Sequence, residues 1–385
     1  MSSESLSDVY GGICLKYQIN VNPYVSEVLQ QNSVKKSAIL NLSGKNQKLE
    51  DSDVFVLTQS LRNNNSSVTE LDVSYNNITD EGAKHLADLL QEEPSALRSL
   101  DLKFNNITAG GAEVLAKNLQ CNAALVTLRL SGNKFGDGGG VHIARMLQVN
   151  DTLQEVELNS CDLGIQSVTA LTIVLKSNTC LRCVDLSRAL LFSQQEEWAE
   201  HLSETLRVNS SLLELHLGKM DMTDSGMERL AGGLRFNYSL RYLDVCCNRV
   251  TRDGVRLLAE VLKQNPTLHS VDLSSNRIED EGATYLSEAI TGPVCALREL
   301  SVTSNGITSG GLLSLARAVT ANTTLTHLYI WGNKLEEPVC RAFRELMDAG
   351  RLQPRHTDVS AYEVDGRVFL ARVSHTLRRH YYSTE

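Results

Sequence analysis

The chain has 385 residues and a formal net charge of −9, because 46 acidic side chains outnumber 37 Lys and Arg side chains. This balance argues against direct binding to nucleic acid and favours basic partners. No apolar run approaches the roughly 20 residues of a transmembrane helix, and residues 1–12 lack the basic start and apolar core of a signal peptide. Nine scattered cysteines, an odd number, are typical of reduced thiols, so we expect a soluble intracellular protein that does not bind membranes.

The first predicted element is a short helix that begins at Asn22 and Pro23. Asn is a favoured N-cap and Pro is favoured in the first helical turn, and we expect the helix to end near Gln31. Residues 1–36 are therefore assigned to an N-terminal segment whose helix covers the open end of the array that follows.

From residue 37 onward the pattern L-x-x-L-x-L-x-x-N-x-L occurs eleven times, in exact or degenerate form, at a nearly constant interval. We call the first position of each repeat p. Each pattern continues into apolar residues three to four apart, as in residues 82–90, and this spacing indicates a helix. One repeat is therefore predicted to be a short strand followed by a helix. The first positions are Ser37, Val68, Leu97, Leu125, Leu153, Leu181, Leu212, Leu240, Leu268, Leu297 and Leu325.

Stacking such repeats buries one apolar core between a parallel sheet and a layer of helices. Because helices are wider than strands, residues 37–347 are predicted to form an α/β horseshoe. This is a right-handed solenoid of about eleven repeats, with parallel strands on the concave side and helices on the convex side. Its sheet would be about 50 Å long at about 4.8 Å per strand. Repeats of this length, each with a full helix, resemble the ribonuclease-inhibitor class of leucine-rich repeat proteins.

Asparagine recurs at two positions of the repeat. At p+8 it occupies seven repeats, where we expect its side chain to bond the backbone of the adjacent turn. Cys161, Ala189 and Met220 replace it in three consecutive repeats. Three residues before p, Asn occurs at eight of ten junctions, and we expect it to take the left-handed conformation that ends a helix.

The middle of the array departs from the pattern. The three substitutions at p+8 adjoin the step from Leu181 to Leu212, which is longer than most of the others, and Ser193 with Glu196 has the spacing of a capping box at the start of a longer helix. We therefore expect a local irregularity near residues 187–200, either as a contact site or as tolerated drift of the repeat.

Residues 348–385 differ from the repeats. Residues 362–373 are predicted to form a β-hairpin about the turn Asp365-Gly366, and basic and aromatic residues follow as far as Tyr382. We expect the hairpin to cap the last repeat and residues 378–382 to be exposed. The alternative is that the segment presents a basic strip to a partner.

Motifs for chemistry are weak in this sequence. Cys180 and Cys183 have the spacing of half a zinc site or a redox pair, but no second pair lies at ligand spacing. Residues 136–140 are rich in glycine but lack the Lys-Ser/Thr of a phosphate-binding loop. No catalytic set has a recognisable spacing, although separate repeats could assemble one in space. The sequence therefore predicts no catalytic, cofactor or metal site, and no enzyme.

The candidate binding site is an acidic surface on the concave side of the sheet. Positions p+2 and p+4 flank the buried middle residue of each strand, and they carry many carboxylates and few basic side chains. Lys103, Arg188 and Lys219 lie where the strands end and are expected to interrupt this acidic field without cancelling it. The predicted partner-binding residues are Glu70, Asp72, Asp101, Glu155, Glu157, Asp185, Glu214, Asp244, Asp272 and Glu299, with Tyr242, Tyr329 and Trp331 as large, rigid contact surfaces.

Two interpretations of this acidic column stay open. Because Leu-Asp-Leu is common in this repeat class, the column could reflect the repeat alone. Alternatively, its charges attract a basic protein partner, which the aromatic side chains then hold at short range.

Residues outside the repeat consensus, at 161–167, 329–334, 364–368 and 379–382, resemble a family of intracellular leucine-rich repeat proteins. That resemblance implies a non-enzymatic protein of the nucleus, nucleolus and cytoplasm, with the ciliary axoneme as an alternative location. We expect a scaffold or regulator that binds a basic protein partner on the concave sheet. The alternative is a direct regulator of an enzyme, as ribonuclease inhibitor and Ran GTPase-activating protein are, and a changed turnover of a partner enzyme would distinguish the two.

Overall fold

The computed structural model describes residues 5–35, 37–44, 47–63, 68–91, 95–191 and 196–377. They form two compact units, an N-terminal unit of Met1–Leu190 and a C-terminal unit of Leu191–Glu385. The boundary between the units falls within the segment 187–200, where the sequence predicts an irregular repeat.

The N-terminal unit alternates short strands with helices, and its strands pair in parallel and in chain order. Its helices are α1 (Leu6–Tyr17), α2 (Pro23–Lys35), α3 (Asp51–Asn63), α4 (Asp80–Leu90), α5 (Ala109–Leu119), α6 (Gly136–Leu147) and α7 (Ile165–Val174). Its strands are β1 (Ile39–Asn41), β2 (Glu70–Asp72), β3 (Ser99–Asp101), β4 (Thr127–Arg129), β5 (Glu155–Glu157) and β6 (Cys183–Asp185).

The C-terminal unit continues the same alternation and ends in an antiparallel hairpin. Its helices are α8 (Glu197–Val208), α9 (Asp224–Leu234), α10 (Arg252–Leu262), α11 (Glu279–Ile290), α12 (Ser309–Ala321) and α13 (Glu337–Asp348), with a 3₁₀ turn at Pro354–His356. Its parallel strands are β7 (Glu214–His216), β8 (Tyr242–Asp244), β9 (Ser270–Asp272), β10 (Glu299–Ser301) and β11 (His327–Tyr329), and its hairpin is β12 (Val359–Val364) with β13 (Arg367–Arg372).

The core of each unit lies between its strands and its helices. Side chains alternate along a strand, so a three-residue strand points its middle residue to the helices and its first and third residues to the opposite side. Leu71 and Leu100, at the centres of β2 and β3, are almost fully buried. Leu86 and Leu90 contribute to the same core from α4. The predicted α/β solenoid of strand–helix repeats is confirmed in both units. None of the described helices has the length and apolar character needed to cross a membrane.

The asparagine at p+8 forms the predicted bonds between neighbouring repeats. The fully buried Asn133 donates from Nδ2 to the carbonyls of Leu102 at 2.9 Å and Leu130 at 2.7 Å. Its Oδ1 accepts from the backbone N–H of Ile107 at 3.1 Å. In the next repeat the thiol of Cys161 donates to the Leu130 carbonyl at 3.2 Å, so cysteine replaces one of these bonds.

The prediction for the asparagine before p is wrong. Asn209 and Asn322 are extended, with φ of −73° and −96°, and neither takes the left-handed conformation. The reason is that the side chain, rather than a backbone reversal, organises the junction. Asn322 Oδ1 accepts from the N–H groups of Thr324 and Leu325, each at 2.7 Å, while its Nδ2 donates to the Ile290 carbonyl at the end of the previous helix.

A ladder of acidic residues at the helix N-termini is missed by the sequence interpretation. Asp280, at the start of α11, accepts from the backbone N–H of Thr308 at 2.7 Å and of Gly311 at 3.1 Å in the next repeat. Burial raises the pKa of Asp280, but the hydrogen bonds from Thr308 outweigh it and hold the pKa below its ordinary value. Asp224 binds Thr251 in the same way. The available signal was the recurrence of Thr at p+11 and Asp at p+12.

Helix α8 begins later than the predicted capping box requires. Glu196 is its N-cap residue, not its third residue, and its carboxylate accepts from the backbone N–H of Thr223 at 2.5 Å and from Thr223 Oγ1 at 3.0 Å. Residue Ser193, the predicted cap, lies outside the described residues. The role of Glu196 is therefore to bind the next repeat, as Asp280 does.

Residues 5–35, the described part of the N-terminal segment, contain two helices, of which the sequence interpretation found one. Helix α2 begins at Pro23 as predicted, with Asn22 Oδ1 accepting from the N–H of Tyr24 at 3.1 Å, but it extends beyond Gln31 to Lys35. Helix α1 was missed. Its signal is the capping box of Ser5 and Asp8, followed by apolar residues that it buries.

The C-terminal hairpin covers the end of the last repeat. Asp365 and Gly366 have φ of 50° and 76°, which confirms the predicted Asp-Gly turn. The hairpin packs against α13 and buries Val359 and Leu370. Just before it, Asp358 accepts from the backbone N–H groups that follow β11, those of Ile330 and Trp331 at 2.9 and 3.0 Å.

Candidate functional site

We call the side of each sheet that carries the first and third residues of its strands the strand face. In the N-terminal unit these positions hold six carboxylates and one basic side chain, Arg129. In the C-terminal unit they hold four carboxylates and neither Lys nor Arg. The structure therefore places every predicted acidic residue on the strand face of its own unit.

Ion pairs neutralise part of the acidic surface of the N-terminal unit. Arg129 lies 2.8 Å from Glu155 and 3.0 Å from Glu157, measured between nitrogen and oxygen. Lys103 Nζ lies 3.2 Å from Asp101 and 3.7 Å from Glu157. Burial lowers the pKa of Arg129, but the two glutamates raise it above its ordinary value, so the guanidinium stays charged.

These ion pairs correct the expectation for Lys103, because its positive charge neutralises part of the acidic surface. Lys103 reaches across to a carboxylate two repeats away, because strands in a parallel sheet lie only about 4.8 Å apart. Burial raises the pKa of Asp101, and Lys103 opposes that shift. Glu70 is exposed and Asp72 half-buried, and they are the acidic positions of this unit best placed to meet a partner.

A histidine lies between two carboxylates of the C-terminal unit. His216 Nε2 is 3.4 Å from Glu214 and its Nδ1 is 3.5 Å from Asp244. Burial raises the pKa of Asp244, but the bond with His216 outweighs it and holds the pKa below its ordinary value. Glu214 is fully buried and Asp244 is 3% exposed, so Asp272, which is half-buried, is the better placed of these acids to meet a partner.

A cleft of about 290 Å³ opens on the strand face of the C-terminal unit. Asp244, Asp272 and Trp331 are among the residues that line it. The chain itself forms one wall, since the segment that follows the hairpin runs across the strands. The lining residues from this segment are Val373, Ser374, His375, Thr376 and Leu377, and Arg372 at the end of β13 also lines the cleft.

Two of the predicted aromatic contact residues are covered by this segment. Tyr242 and Tyr329 are only 2% and 3% exposed, and they form one buried apolar cluster with Leu377. The expectation that both tyrosines are available to a partner is therefore wrong for this structure, while Trp331 stays half-buried in the cleft. The contact of Leu377 was missed because no repeat pattern extends into the last residues.

Asp244, Cys246 and Asp272 have ligand atoms within 4.8 Å of one another, which makes them the donor set that a cation could contact in the cleft. The carboxylates are already engaged, since Asp244 accepts from the backbone N–H of Cys246 and Asp272 from that of Ser274, each at 2.8 Å. Burial, followed by the charges of Asp244 and Asp272, raises the pKa of the Cys246 thiol far above its ordinary value. Cys246 is therefore not an activated nucleophile, because reactivity needs the thiolate.

Basic residues line the edge where the strands of this unit begin. Arg241, His269 and Arg298 occupy position p+1 of three consecutive repeats, and Arg241 Nη1 lies 3.4 Å from His269 Nε2. Burial first, and then the charges of Arg298 and Arg241, lower the pKa of His269 to about 4.

This depressed pKa predicts an acid-sensitive C-terminal unit. His269 binds fewer protons when folded than when unfolded, so its contribution is complete above the ordinary pKa of about 6.5 and is lost as the pH falls toward 4. We expect His269→Gln to make the free energy of unfolding, measured with urea between pH 7.5 and 5, fall less steeply than in the wild type. Arg298→Gln should also make the free energy of unfolding fall less steeply, but by a smaller amount. An unchanged slope in His269→Gln would contradict this assignment.

Comparison with known proteins agrees with this architecture. Five segments, residues 64–87, 95–116, 121–144, 264–287 and 295–316, match the family model described as Leucine Rich repeat. Together with the strand–helix repeats of both units, these matches show that the chain contains leucine-rich repeats.

Its sequence is similar to that of Leucine-rich repeat-containing protein 34. It is 48% identical to the human protein over 203 residues, which is 53% of this chain and 44% of the relative. It is 42% identical to the mouse protein over 218 residues, which is 57% of this chain and 52% of the relative. The chain therefore spans about half the length of the curated relatives it matches. A solved structure, Leiomodin-1 Actin-Binding Site 2 (ABS2), is similar with a TM-score of 0.34 and 23% identity, covering 39% of this chain and 89% of that chain.

Proposed function

We propose that this chain is a non-catalytic protein-binding scaffold or regulator that engages a basic partner on its strand faces. Leucine-rich repeat domains generally mediate protein–protein interaction, because their strands present a preformed surface. The observation that carries the proposal is the composition of that surface. Across the described parallel strands, ten carboxylates stand against one arginine.

The surface charge accounts for the rate at which a partner is encountered and for the preference for a positively charged partner. Carboxylates spread along a strand face speed the approach of a basic segment and disfavour an acidic one, and salt weakens this attraction. Glu70 and Asp72 in the N-terminal unit and Asp272 in the C-terminal unit are the acidic residues best exposed for this role. Trp331 supplies a half-buried aromatic surface for short-range contact.

We also propose that the protein acts inside the cell, in the cytoplasm and the nucleus. Its nine cysteines are all free thiols, including pairs that are close in sequence, Cys180 with Cys183 and Cys246 with Cys247. Free thiols in this number suit a reducing compartment.

The proposal is tested by charge reversal on the strand faces. The 385-residue chain carrying Glu70→Lys and Asp272→Lys is compared with wild type in affinity purification from native tissue, with bound proteins quantified by mass spectrometry. Asp272 is chosen over Asp244, since reversal of the buried Asp244 would leave a charge beside His216 and disturb the fold. We expect basic proteins recovered by the wild type to be depleted at least tenfold, roughly 1.4 kcal/mol of binding free energy.

The matched control reverses the same charge on the helices. Glu113→Lys in α5 and Glu228→Lys in α9 are exposed, one in each unit, and change the net charge by the same amount. This variant should recover the same partners as the wild type. Equal recovery by both variants and the wild type would mean that the acidic column belongs to the repeat and binds no partner.

A further inference from the structure

The segment after the hairpin lies on the strand face of the C-terminal unit. It leaves β13 at Val373, whose backbone N–H donates to the Asp358 carbonyl at 2.9 Å. His375 Nδ1 lies 3.2 Å from the Thr357 carbonyl, a second contact with the base of the hairpin. Further along the segment, Leu377 is buried with the two tyrosines of β8 and β11.

The contact between this segment and the strand face is small and apolar. Ser374, His375 and Thr376 are exposed, whereas Leu377 is 8% exposed. One buried leucine fixes the segment to the tyrosines. A segment held by few buried contacts opens at a low free-energy cost compared with the core of the repeats.

Charge complements this apolar contact. The two residues that follow Leu377 in the sequence are Arg378 and Arg379, which lie outside the described residues. The residue that precedes them, Leu377, lines the same cleft as Asp244 and Asp272. In the sequence, an apolar side chain is thus followed directly by positive charge, which is the chemistry that the strand face selects.

We propose that the segment from Val373 to Leu377 is an internal ligand of the strand face of the C-terminal unit. A protein partner must displace it, and the partner that fits is a segment with the same chemistry, an apolar side chain followed by basic residues. This inference rests on the proposed function and adds regulation to it. Leu377 shields Tyr242 and Tyr329 until a competing segment replaces it.

The experiment supplies the segment as a separate peptide. A fluorescein-labelled peptide of residues 373–385 is titrated with the 385-residue wild-type chain and with the same chain carrying Leu377→Asp, and binding is followed by fluorescence anisotropy. In the wild type the tethered copy competes at a high effective concentration, so the peptide should bind weakly. In Leu377→Asp the tyrosines are accessible, and the peptide should bind saturably and at least tenfold more tightly.

Two controls separate the apolar anchor from a general effect of charge. Thr376→Asp adds the same charge at the exposed neighbouring residue, and this protein should bind the peptide as weakly as the wild type. A peptide carrying Leu377→Asp should bind the opened protein at least tenfold less tightly than the native peptide. If Leu377→Asp does not fold, Leu377→Ala provides the same comparison.

Equal affinity of the peptide for wild type and for the opened protein would overturn the proposal, and so would equal binding of the native and substituted peptides. Failure of the proposed function gives a different result. In that case the peptide binds Leu377→Asp more tightly than the wild type, as expected. The recovery of basic proteins in the purification experiment, however, does not depend on Glu70 and Asp272.

Discussion

Removal of residues 360–385 is expected to lower the melting temperature of the C-terminal unit by about 4 to 8 °C, which corresponds to about 2 kcal/mol at the midpoint of a unit of this size. The deletion removes β13 and most of β12. The buried side chains of Val368 and Leu370, 7% and 8% exposed, are lost with it, and α13 loses the cover over its apolar side. Each such side chain contributes roughly 1.5 to 3 kcal/mol when buried, and part of this is offset because the shorter chain no longer has to order the deleted residues on folding.

Differential scanning calorimetry of the full chain measures the effect, and a shorter deletion identifies its source. A chain that ends at Thr376 lacks Leu377 and the residues after it but keeps the whole hairpin. If the hairpin is the cap, the melting temperature of this variant should fall by less than half as much as that of the longer deletion. An unchanged melting temperature in the longer deletion would show that the last repeat needs no cover.

The repeat architecture was predictable because it is periodic. A residue type that returns at a nearly constant interval occupies the same place in each repeat, so eleven weak signals add together. The p+8 asparagine was predicted for this reason. The conformation of the asparagine before p was not, because a left-handed backbone and a side-chain bond to the next turn both favour asparagine at a helix end.

The sequence predicted which positions form the candidate site, but not how far their side chains are buried or which charges are paired. Position alone places Glu155 and Asp244 on the strand face, yet both are nearly buried. Their exposure depends on neighbours from other repeats, such as Arg129 against Glu155 and His216 against Asp244. Such pairs depend on the reach of long side chains across the sheet, which a one-dimensional pattern does not contain.

Contacts between the repeats and the flanking segments were the least predictable. Leu377 lies several repeats beyond Tyr242 in the sequence, and nothing periodic links the two positions. Helix α1 was missed for the same reason, since it occurs once and has no equivalent in the repeats. Non-periodic segments have only their local signals. The helix start at Asn22-Pro23 and the turn at Asp365-Gly366 were recognised, and the capping box of Ser5 was not.

Asn133→Ala should lower the free energy of unfolding of the N-terminal unit by about 2 to 4 kcal/mol, because the substitution removes three buried hydrogen bonds. The cost is not evenly divided among them. The carbonyl of Leu102 also accepts from Asn105 Nδ2 at 3.0 Å, and that of Leu130 accepts from the Cys161 thiol. The backbone N–H of Ile107 instead loses the acceptor that binds it in the dry core, and an unsatisfied buried donor is costly.

Cys161→Ala is the matched comparison at the same position of the next repeat. A thiol is a weak donor, and the Leu130 carbonyl that it contacts keeps its bond from Asn133. We therefore expect a loss of about 1 kcal/mol, mostly from the buried sulfur. Urea unfolding followed by circular dichroism at 222 nm measures both variants. Equal losses of unfolding free energy would mean that the amide of Asn133 stabilises the fold no more than its buried volume does. The occurrence of Cys, Ala and Met at p+8 in three consecutive repeats would then need no further explanation. A loss at least twice as large in Asn133→Ala instead means that the amide of asparagine supplies stability that the thiol of Cys161 does not replace.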